Sequence, residues 1–240
     1  MDVAPVLKVT MTLNLLNGIL YKHLYLGGKN KNISFSREDF ENMIQFAVIW
    51  GVAGIYEPKE RLEFQEWLKE QEGIEVHKFL EGESIFDYEI DVNSSGATKW
   101  VKITPEEWIP PKVINFSQIL LPTIDSTRAI SLIRYIANQS YSAISRKSSL
   151  IIGGSGTAKT SSALMYAKEF DTTKMLLHRI NFSSATQPVH FQSSIESVCE
   201  QKIQKGFGPK EFKIMTVFID DFSMPEKNEW GDQITLEIVR

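Results

Sequence analysis

Cysteine is nearly missing from this chain: Cys199 is the single one in 240 residues. That excludes an internal disulfide framework and any multi-cysteine zinc site, and it fits a reducing compartment. A lone cysteine of this kind reads as a small apolar residue rather than a nucleophile. The histidines, His23, His77, His178 and His190, are scattered without metal-ligand spacing. Positive charge is not in excess either. The net charge is −4, with no basic stripe and no RNA-binding signature, so nucleic acid is not an expected partner. Long apolar runs are absent: the longest, 46–56, is about half of what a membrane span requires and contains Gly51 and Gly54. The first residues carry no basic flank and no small-residue cleavage site. The expectation is a protein of the cytoplasm in the broad sense, with no membrane partner. What is present is globular in composition, 42% hydrophobic and 23% charged, enough for one large core or two smaller ones.

Against that background one stretch stands out. Gly153-Gly154-Ser155-Gly156-Thr157-Ala158-Lys159-Thr160 follows the apolar run Leu150-Ile151-Ile152 and precedes a helix-compatible segment over 161–170. A glycine-rich turn between strand and helix can aim several backbone N–H groups at phosphate oxygens. Lys159 would supply a point charge to the terminal phosphates and Thr160 a hydroxyl for Mg²⁺. Ala158 departs from the pattern, because it stands where a second glycine is expected. Its methyl group is tolerable at negative φ and strained at positive φ. An ordinary glycine-rich turn is the competing reading of the loop on its own.

About sixty residues on, Ile214-Met215-Thr216-Val217-Phe218-Ile219-Asp220-Asp221 reads as a buried strand ending in two carboxylates, the form of a Walker B strand. Asp220 would hold Mg²⁺ through water. Asp221 sits where many ATPases place a glutamate that orients the attacking water. Aspartate is one methylene shorter, so nucleotide binding is better supported than fast hydrolysis. A solvated turn is the alternative for an acidic pair seen alone.

The rest of the chain falls into two halves. Helical spacing through Leu13, Leu16, Leu20 and Leu24, with Gly27-Gly28 as a stop, predicts a helix over 1–27. Ser36 with Asp39 resembles a capping box, with aspartate in place of the usual glutamate, and opens a helix with apolar Phe40, Met43, Ile44, Ala47 and Val48. A third helix is expected over 58–72, with Pro58 in its first turn and Leu62, Phe64, Trp67 and Leu68 as apolar surface. Aromatic and β-branched pieces, 85–90 and 100–103, then flank Asn93-Ser94-Ser95-Gly96, which suggests a hairpin or a partly ordered excursion. Pro105, Pro110 and Pro111 place a linker over 104–116, separating a helical region 1–103 from a second region 117–240. In that second region a helix over 125–145, strand 148–152, the loop and its helix, strand 175–181, a helix over 189–205 and the acidic strand alternate. This pattern predicts an α/β fold with a parallel sheet flanked by helices.

Several of these phrases carry a specific likeness. Leu121-Pro122-Thr123-Ile124-Asp125-Ser126-Thr127-Arg128, Asn181-Phe182-Ser183-Ser184-Ala185-Thr186 and Ile219-Asp220-Asp221-Phe222-Ser223-Met224-Pro225 resemble the third AAA+ module of the dynein heavy chain. Gly156-Thr157-Ala158-Lys159-Thr160 and Asn228-Glu229-Trp230-Gly231-Asp232-Gln233-Ile234 are similar to axonemal rather than cytoplasmic heavy chains. Ile49-Trp50-Gly51-Val52-Ala53-Gly54, Arg61-Leu62-Glu63-Phe64 and Phe86-Asp87-Tyr88 resemble the small helical lid of the second module and its exit segment.

The resemblance implies a P-loop NTPase of AAA+ type, a truncated large subdomain preceded by a small helical lid. It implies ATP or ADP with Mg²⁺ as cofactors and a regulatory role within a ring of such modules that moves on microtubules in cilia and flagella. The partners it implies are the other AAA+ modules of the same heavy chain, dynein intermediate and light chains, and microtubules through other parts of the motor. It places Leu121, Pro122 and Thr123 beside the adenine, although proline and aspartate there would also start a helix. It brings Asn181, Ser184 and Thr186 near the site, although the latter two equally fit a turn. In the family a further strand lies between the loop strand and the acidic strand, so both would lack their shared neighbour, and independent folding is expected to be costly. A stand-alone P-loop ATPase or kinase, and a nucleotide-insensitive structural module in which Ala158 and Asp221 mark a decayed site, are the competing expectations.

Overall fold

Helically spaced apolar residues in the first part of the chain close around a set of aromatic rings, and the computed structural model describes residues 4–24, 35–71, 82–93, 95–110, 119–137, 147–202 and 206–239. Two compact units result, Met1–Ser162 and Ala163–Arg240.

The first unit holds helices α1 (Pro5–Leu24), α2 (Arg37–Ala53) and α3 (Pro58–Lys69), then an antiparallel hairpin of β1 (Tyr88–Val92) and β2 (Thr98–Lys102), then α4 (Ile124–Ala137). The predicted helices form; Leu16, Leu20, Met43 and Ala47 lie in or against the core, while other expected apolar positions are exposed. In α1 the core residues are Leu15 and Ile19, with Leu13 exposed; in α2 they are Met43, Phe46, Ala47, Ile49, Trp50 and Ala53, with Phe40 and Ile44 exposed. On α3 Leu68 is buried and Phe64 packs on the core, while Leu62 and Trp67 face solvent. The pieces 85–90 and 100–103 do form a hairpin, except that Ile85–Asp87 make a 3-10 turn ahead of it. Gly27-Gly28, Glu72, the 111–116 part of the linker and the 138–145 part of the fourth helix lie outside the described residues.

Ring packing sets the centre of this unit. Phe46 lies 5.6 Å from Tyr135 of α4 and 6.2 Å from Trp100 of β2, and Trp50 meets Phe86 edge-on at 5.2 Å. Such offset and edge-on pairs contribute about 0.5–1.5 kcal/mol each beyond area burial. Several polar groups at the core edge are hydrogen-bonded. The buried Gln65 Oε1 accepts from the Ile85 N–H at 2.8 Å and the Ser84 hydroxyl at 3.0 Å. Tyr135 donates its hydroxyl to the Ile90 carbonyl at 2.9 Å, and burial pushes that phenol's pKa up.

The capping box of α2 explains its own substitution. Asp39 N–H donates to Ser36 Oγ at 3.1 Å, and Asp39 Oδ2 accepts from Ser36 N–H at 2.9 Å. The other oxygen, Oδ1, accepts from Thr98 N–H at 2.7 Å and Thr98 Oγ1 at 3.0 Å. A carboxylate one methylene shorter therefore closes the box and ties the helix to β2.

Helix α4 packs on this core rather than apart from it. Ile130 and Ile133 are buried, and Leu132, Tyr135 and Ile136 lie against the cluster. Arg128 of α4 donates from Nη2 to Asp87 Oδ1 at 2.6 Å and from Nη1 to Asp125 Oδ1 at 2.7 Å.

The second unit contains β3 (Met175–Asn181) and β6 (Ile214–Asp220), paired in parallel from Met175↔Ile214 to Asn181↔Asp220. Between them run α6 (Pro188–Ser197) and a short antiparallel pair, β4 (Cys199–Gln201) and β5 (Phe207–Pro209). The helix expected over 189–205 thus ends at Ser197. The Lys202 N–H donates to the Gly206 carbonyl at 2.7 Å, so this segment satisfies its backbone by folding into a hairpin. Phe182, fully buried, stacks on Phe222 at 6.2 Å and meets Phe191 at 5.8 Å. A short α7 (Ile234–Glu237) follows, whose Thr235 hydroxyl donates to the Thr186 carbonyl at 2.8 Å. No described helix is long and apolar enough to cross a membrane.

Two outcomes follow from the first unit. At Gly51 an added Cβ would lie 2.2 Å from Thr12 Oγ1 and 2.7 Å from Thr12 Cα, so Gly51→Ala must push α1 from α2, costing about 1–3 kcal/mol in urea unfolding. The Ser36 hydroxyl and then the Thr98 N–H hold the Asp39 carboxyl down from 3.8 to about 2. A depressed folded pKa contributes stability that is present above the unfolded value and lost as pH falls through the folded one. Melting midpoints taken from pH 5 to pH 2 should therefore fall less steeply for Asp39→Asn, which starts lower, than for the parent.

Candidate nucleotide-binding site

The loop over 153–158 is turned by two left-handed residues, Gly156 at φ 77° and Ala158 at φ 58°, with Thr157 between them at negative φ. Alternation of handedness in successive residues points neighbouring N–H groups to one side, the arrangement that makes an anion-binding nest. Helix α5 (Lys159–Lys168) begins directly after it, and Ala158 O accepts from the N–H of Ser162 at 2.9 Å and from its buried hydroxyl at 2.9 Å. The residue that departs from the expected glycine is thus the one whose backbone demands glycine. A left-handed L-residue costs roughly 1–2 kcal/mol.

Side chains brace the turn. Thr157 donates its hydroxyl to the Gly154 carbonyl at 2.9 Å. Lys159 folds back so that Nζ donates to the carbonyls of Gly153 at 2.9 Å and Gly154 at 2.5 Å. A Cβ on Gly153 would stand 2.9 Å from Thr157 Oγ1 and 3.7 Å from Lys159 Cδ. Glycine is needed there to let the lysine and threonine close over the backbone. Residues 153–158 are exposed, while Lys159 is half-buried with its ammonium on the Gly153 and Gly154 carbonyls. In composition and backbone the loop fits a nucleotide.

The run ahead of the loop differs from expectation. Residues 148–152 join none of the sheets formed by the described residues, and Leu150 and Ile152 are 70% and 68% exposed. A strand needs a ladder partner on at least one side, and β3 and β6 pair only with each other. Leu121 is exposed, Pro122 half-buried, and Thr123 pairs with Ser126 at the start of α4. Its Oγ1 accepts from Ser126 N–H at 3.2 Å, and its own N–H donates to the Ser126 hydroxyl at 2.8 Å.

In the second unit Asp220 closes β6. Its carbonyl accepts from the Phe182 N–H at 3.0 Å, extending the ladder, and its Oδ1 accepts from Asp221 N–H at 3.2 Å. Asp221 then turns left-handed at φ 54°, a conformation that Asp and Asn adopt more readily than other residues. The Ser183–Thr186 segment is a turn, with Ser183 N–H donating to Thr186 Oγ1 at 2.8 Å, and Ser184 O accepting from Glu226 N–H at 3.3 Å. Among the described residues no three His, Cys, Asp or Glu side chains form a metal-ligand group.

One charged neighbour escaped the sequence reading. Arg179 of β3 donates from Nη2 to Asp220 Oδ2 at 2.8 Å. The signal was available: an arginine in a strand, two residues before Asn181 and so on the same face.

Residues 108–240 match the family described as the P-loop containing dynein motor region, and residues 1–102 match the dynein heavy chain AAA lid domain. The chain belongs to the dynein heavy chain family. Its fold is accordingly the α/β P-loop motor region preceded by an AAA lid. Among its relatives, dynein axonemal heavy chain 5 of Mus musculus is 35% identical over all of this chain and 5% of its own length. Dynein axonemal heavy chain 8 of Homo sapiens is 34% identical over 97% of this chain, and the dynein gamma chain of the flagellar outer arm of Chlamydomonas reinhardtii 33% over 97%; each is covered over 5% of its length. This dynein segment therefore spans about one twentieth of the heavy chains it resembles.

The left-handed Ala158 makes a prediction. Ala158→Gly removes the strain but gives back about 0.5–1 kcal/mol of chain entropy, so a net gain of up to about 1 kcal/mol is expected in thermal unfolding. Ala158→Val should lose more than the parent, since a branched side chain is least tolerated at positive φ.

Proposed function

We propose that this chain is a regulatory nucleotide-binding segment of an axonemal dynein heavy chain, comprising the lid of the second AAA+ module over 1–103, a linker over 104–116 and the large subdomain of the third over 117–240. The observation that carries the proposal is the loop over 153–159, whose left-handed turns and folded-back lysine suit a bound phosphate chain. Gly153, Gly154, Ser155, Gly156, Thr157 and Ala158 offer backbone N–H groups to ATP or ADP, Lys159 charge to the terminal phosphates, and Leu121, Pro122 and Thr123 an apolar edge for the base. Thr160 and Asp220 supply the oxygens for Mg²⁺. Bound Mg²⁺ would offset phosphate charge. Asp221 stands in the place of the water-orienting glutamate, and its shorter side chain favours binding over turnover.

In the motor the segment would work beside other AAA+ modules of the same heavy chain and, through parts outside this chain, with intermediate and light chains and microtubules. The names of its relatives, axonemal and flagellar, support a place in the axoneme of cilia or flagella. A second reading, a structural module indifferent to nucleotide, draws support from the strained Ala158.

Calorimetry with Mg-ATP and Mg-ADP separates the two. Micromolar binding that weakens at least about tenfold in Lys159→Ala, or roughly 1.4 kcal/mol, supports the regulatory site. Binding that is absent, or equal in parent and variant, would support the structural module instead.

A further inference from the structure

We propose that Thr104 is a phosphorylation site for a proline-directed protein kinase, and that its phosphate is received by the guanidinium of Arg61 with Arg128 beside it. Acceptor hydroxyl and receiver both lie in the first unit, and neither needs a nucleotide at the loop over 153–160.

Thr104-Pro105 is the only Thr-Pro or Ser-Pro pair in the chain. It follows β2 by one residue, and residues 104–110 are exposed and belong to no helix or strand. A residue ahead of proline is kept out of the helical region, so Thr104 is extended, the shape a substrate segment takes in a kinase groove. No hydrogen bond among the described residues occupies its hydroxyl. In the transfer, Thr104 Oγ1 bonds to the γ-phosphorus of ATP and the bond from that phosphorus to the β–γ bridging oxygen breaks. ADP leaves, and the hydroxyl proton passes to the catalytic aspartate of the kinase.

A cation without an anion stands close by. Arg61 of α3 forms no ion pair among the described residues; its Nη2 donates to the Gly54 carbonyl at 2.7 Å, and its guanidinium lies 5.4 Å from the Trp50 ring centre and 5.3 Å from that of Phe86. Burial first, and then the charge of Arg128, hold its pKa below the usual value, with Asp125 opposing them. The Nε–H groups of Arg61 and Arg128 are both buried without an acceptor. Two guanidiniums with donors to spare, one of them unpaired, are the setting that a phosphate dianion relieves.

The reach is short. Ile103 N–H donates to the Asp87 carbonyl at 2.8 Å, and Asp87 Oδ1 accepts from Arg128 Nη2 at 2.6 Å. Thr104 is the next residue, about 3.8 Å of chain further on. Arg128 also donates to Asp125, whose side chain is 90% exposed. An exposed pair of that kind is weak, so a phosphate of nearly double charge takes its place. Phosphorylation thus fastens the first residue of the linker to α3 and α4.

The test treats the full chain with a proline-directed kinase and ATP, locates the phosphate by mass spectrometry, and follows its ³¹P resonance from pH 8 to pH 5, folded and in urea. Thr104 should carry the phosphate, and its second acid dissociation constant should be about three- to tenfold larger in the folded chain than in urea, because neighbouring cations favour the dianion. Arg61→Gln should return that constant toward the urea value. Should Arg61→Gln fail to fold by circular dichroism, Arg61→Lys, which keeps the charge and loses the planar fork, carries the comparison with a smaller return. Thr104 left unmodified by a kinase that modifies a peptide of residues 98–110 overturns the proposal. So does a phosphate that titrates alike in the folded and urea-unfolded chain, or alike in the parent and the folded Arg61 variant.

Discussion

Backbone groups taken from water must find partners, and the placement of Asp220 and Arg179 follows from which strands do so. The ladder between β3 and β6 runs seven residues in register and is extended by Phe182 N–H onto Asp220. Because the pairing is parallel and unshifted, Asp220 emerges at the strand end beside Asn181, with Arg179 one step behind on the same face. A slip of one residue would send Arg179 to the opposite face and leave Asp220 without it. The run over 148–152 shows the converse. Leu150 and Ile152 are as apolar as the residues of β6, yet with no ladder among the described residues they stand in solvent.

The first unit is held by a different device. Its core is a ring cluster, and its polar rim is made of side chains that each serve two masters: Asp39 caps α2 and binds β2, Gln65 joins α3 to the turn before β1, and Arg128 joins α4 to that same turn. The phrases Phe86-Asp87-Tyr88 and Asp125-Ser126-Thr127-Arg128, which as sequence were only a likeness, acquire a physical meaning here. Phe86 enters the core, and Asp87 and Asp125 clamp one guanidinium between them. Since Thr123 and Ser126 cap α4 immediately after Leu121 and Pro122, the segment proposed for the adenine is anchored to the lid through the same helix.

Much of this was legible in the residues, because helix starts and glycine-rich turns are local. Ser36 with Asp39, Pro58, and the turn around Asn93 and Gly96 each act within four residues, and each formed. The buried faces of α1 and α2 were less legible: Leu13, Phe40 and Ile44 are as apolar as Leu15, Phe46 and Ile49, and only the position of neighbouring helices decides which set is covered. The stretch after Ser197 was misread for a related reason. Helical spacing continues in its residues, but the turn closed by Gly206 lets Cys199–Gln201 pair with Phe207–Pro209 instead. Arg179 was overlooked because its partner lies forty-one positions away, and no periodicity links residues across a parallel crossover.

Two backbone features bear on whether such a site is kept or decaying. Ala158 and Asp221 both take left-handed conformations where, respectively, glycine and a longer acid are expected, yet the geometry each imposes is retained. A loop free to drift would relax Ala158 to negative φ and recover the one or two kcal/mol that this conformation costs, roughly the whole value of a good hydrogen bond. It does not, because the Ala158 carbonyl is held twice by Ser162 and the carbonyls of Gly153 and Gly154 are held by Lys159. The strain is thus borne by contacts within the loop and the first turn of its helix.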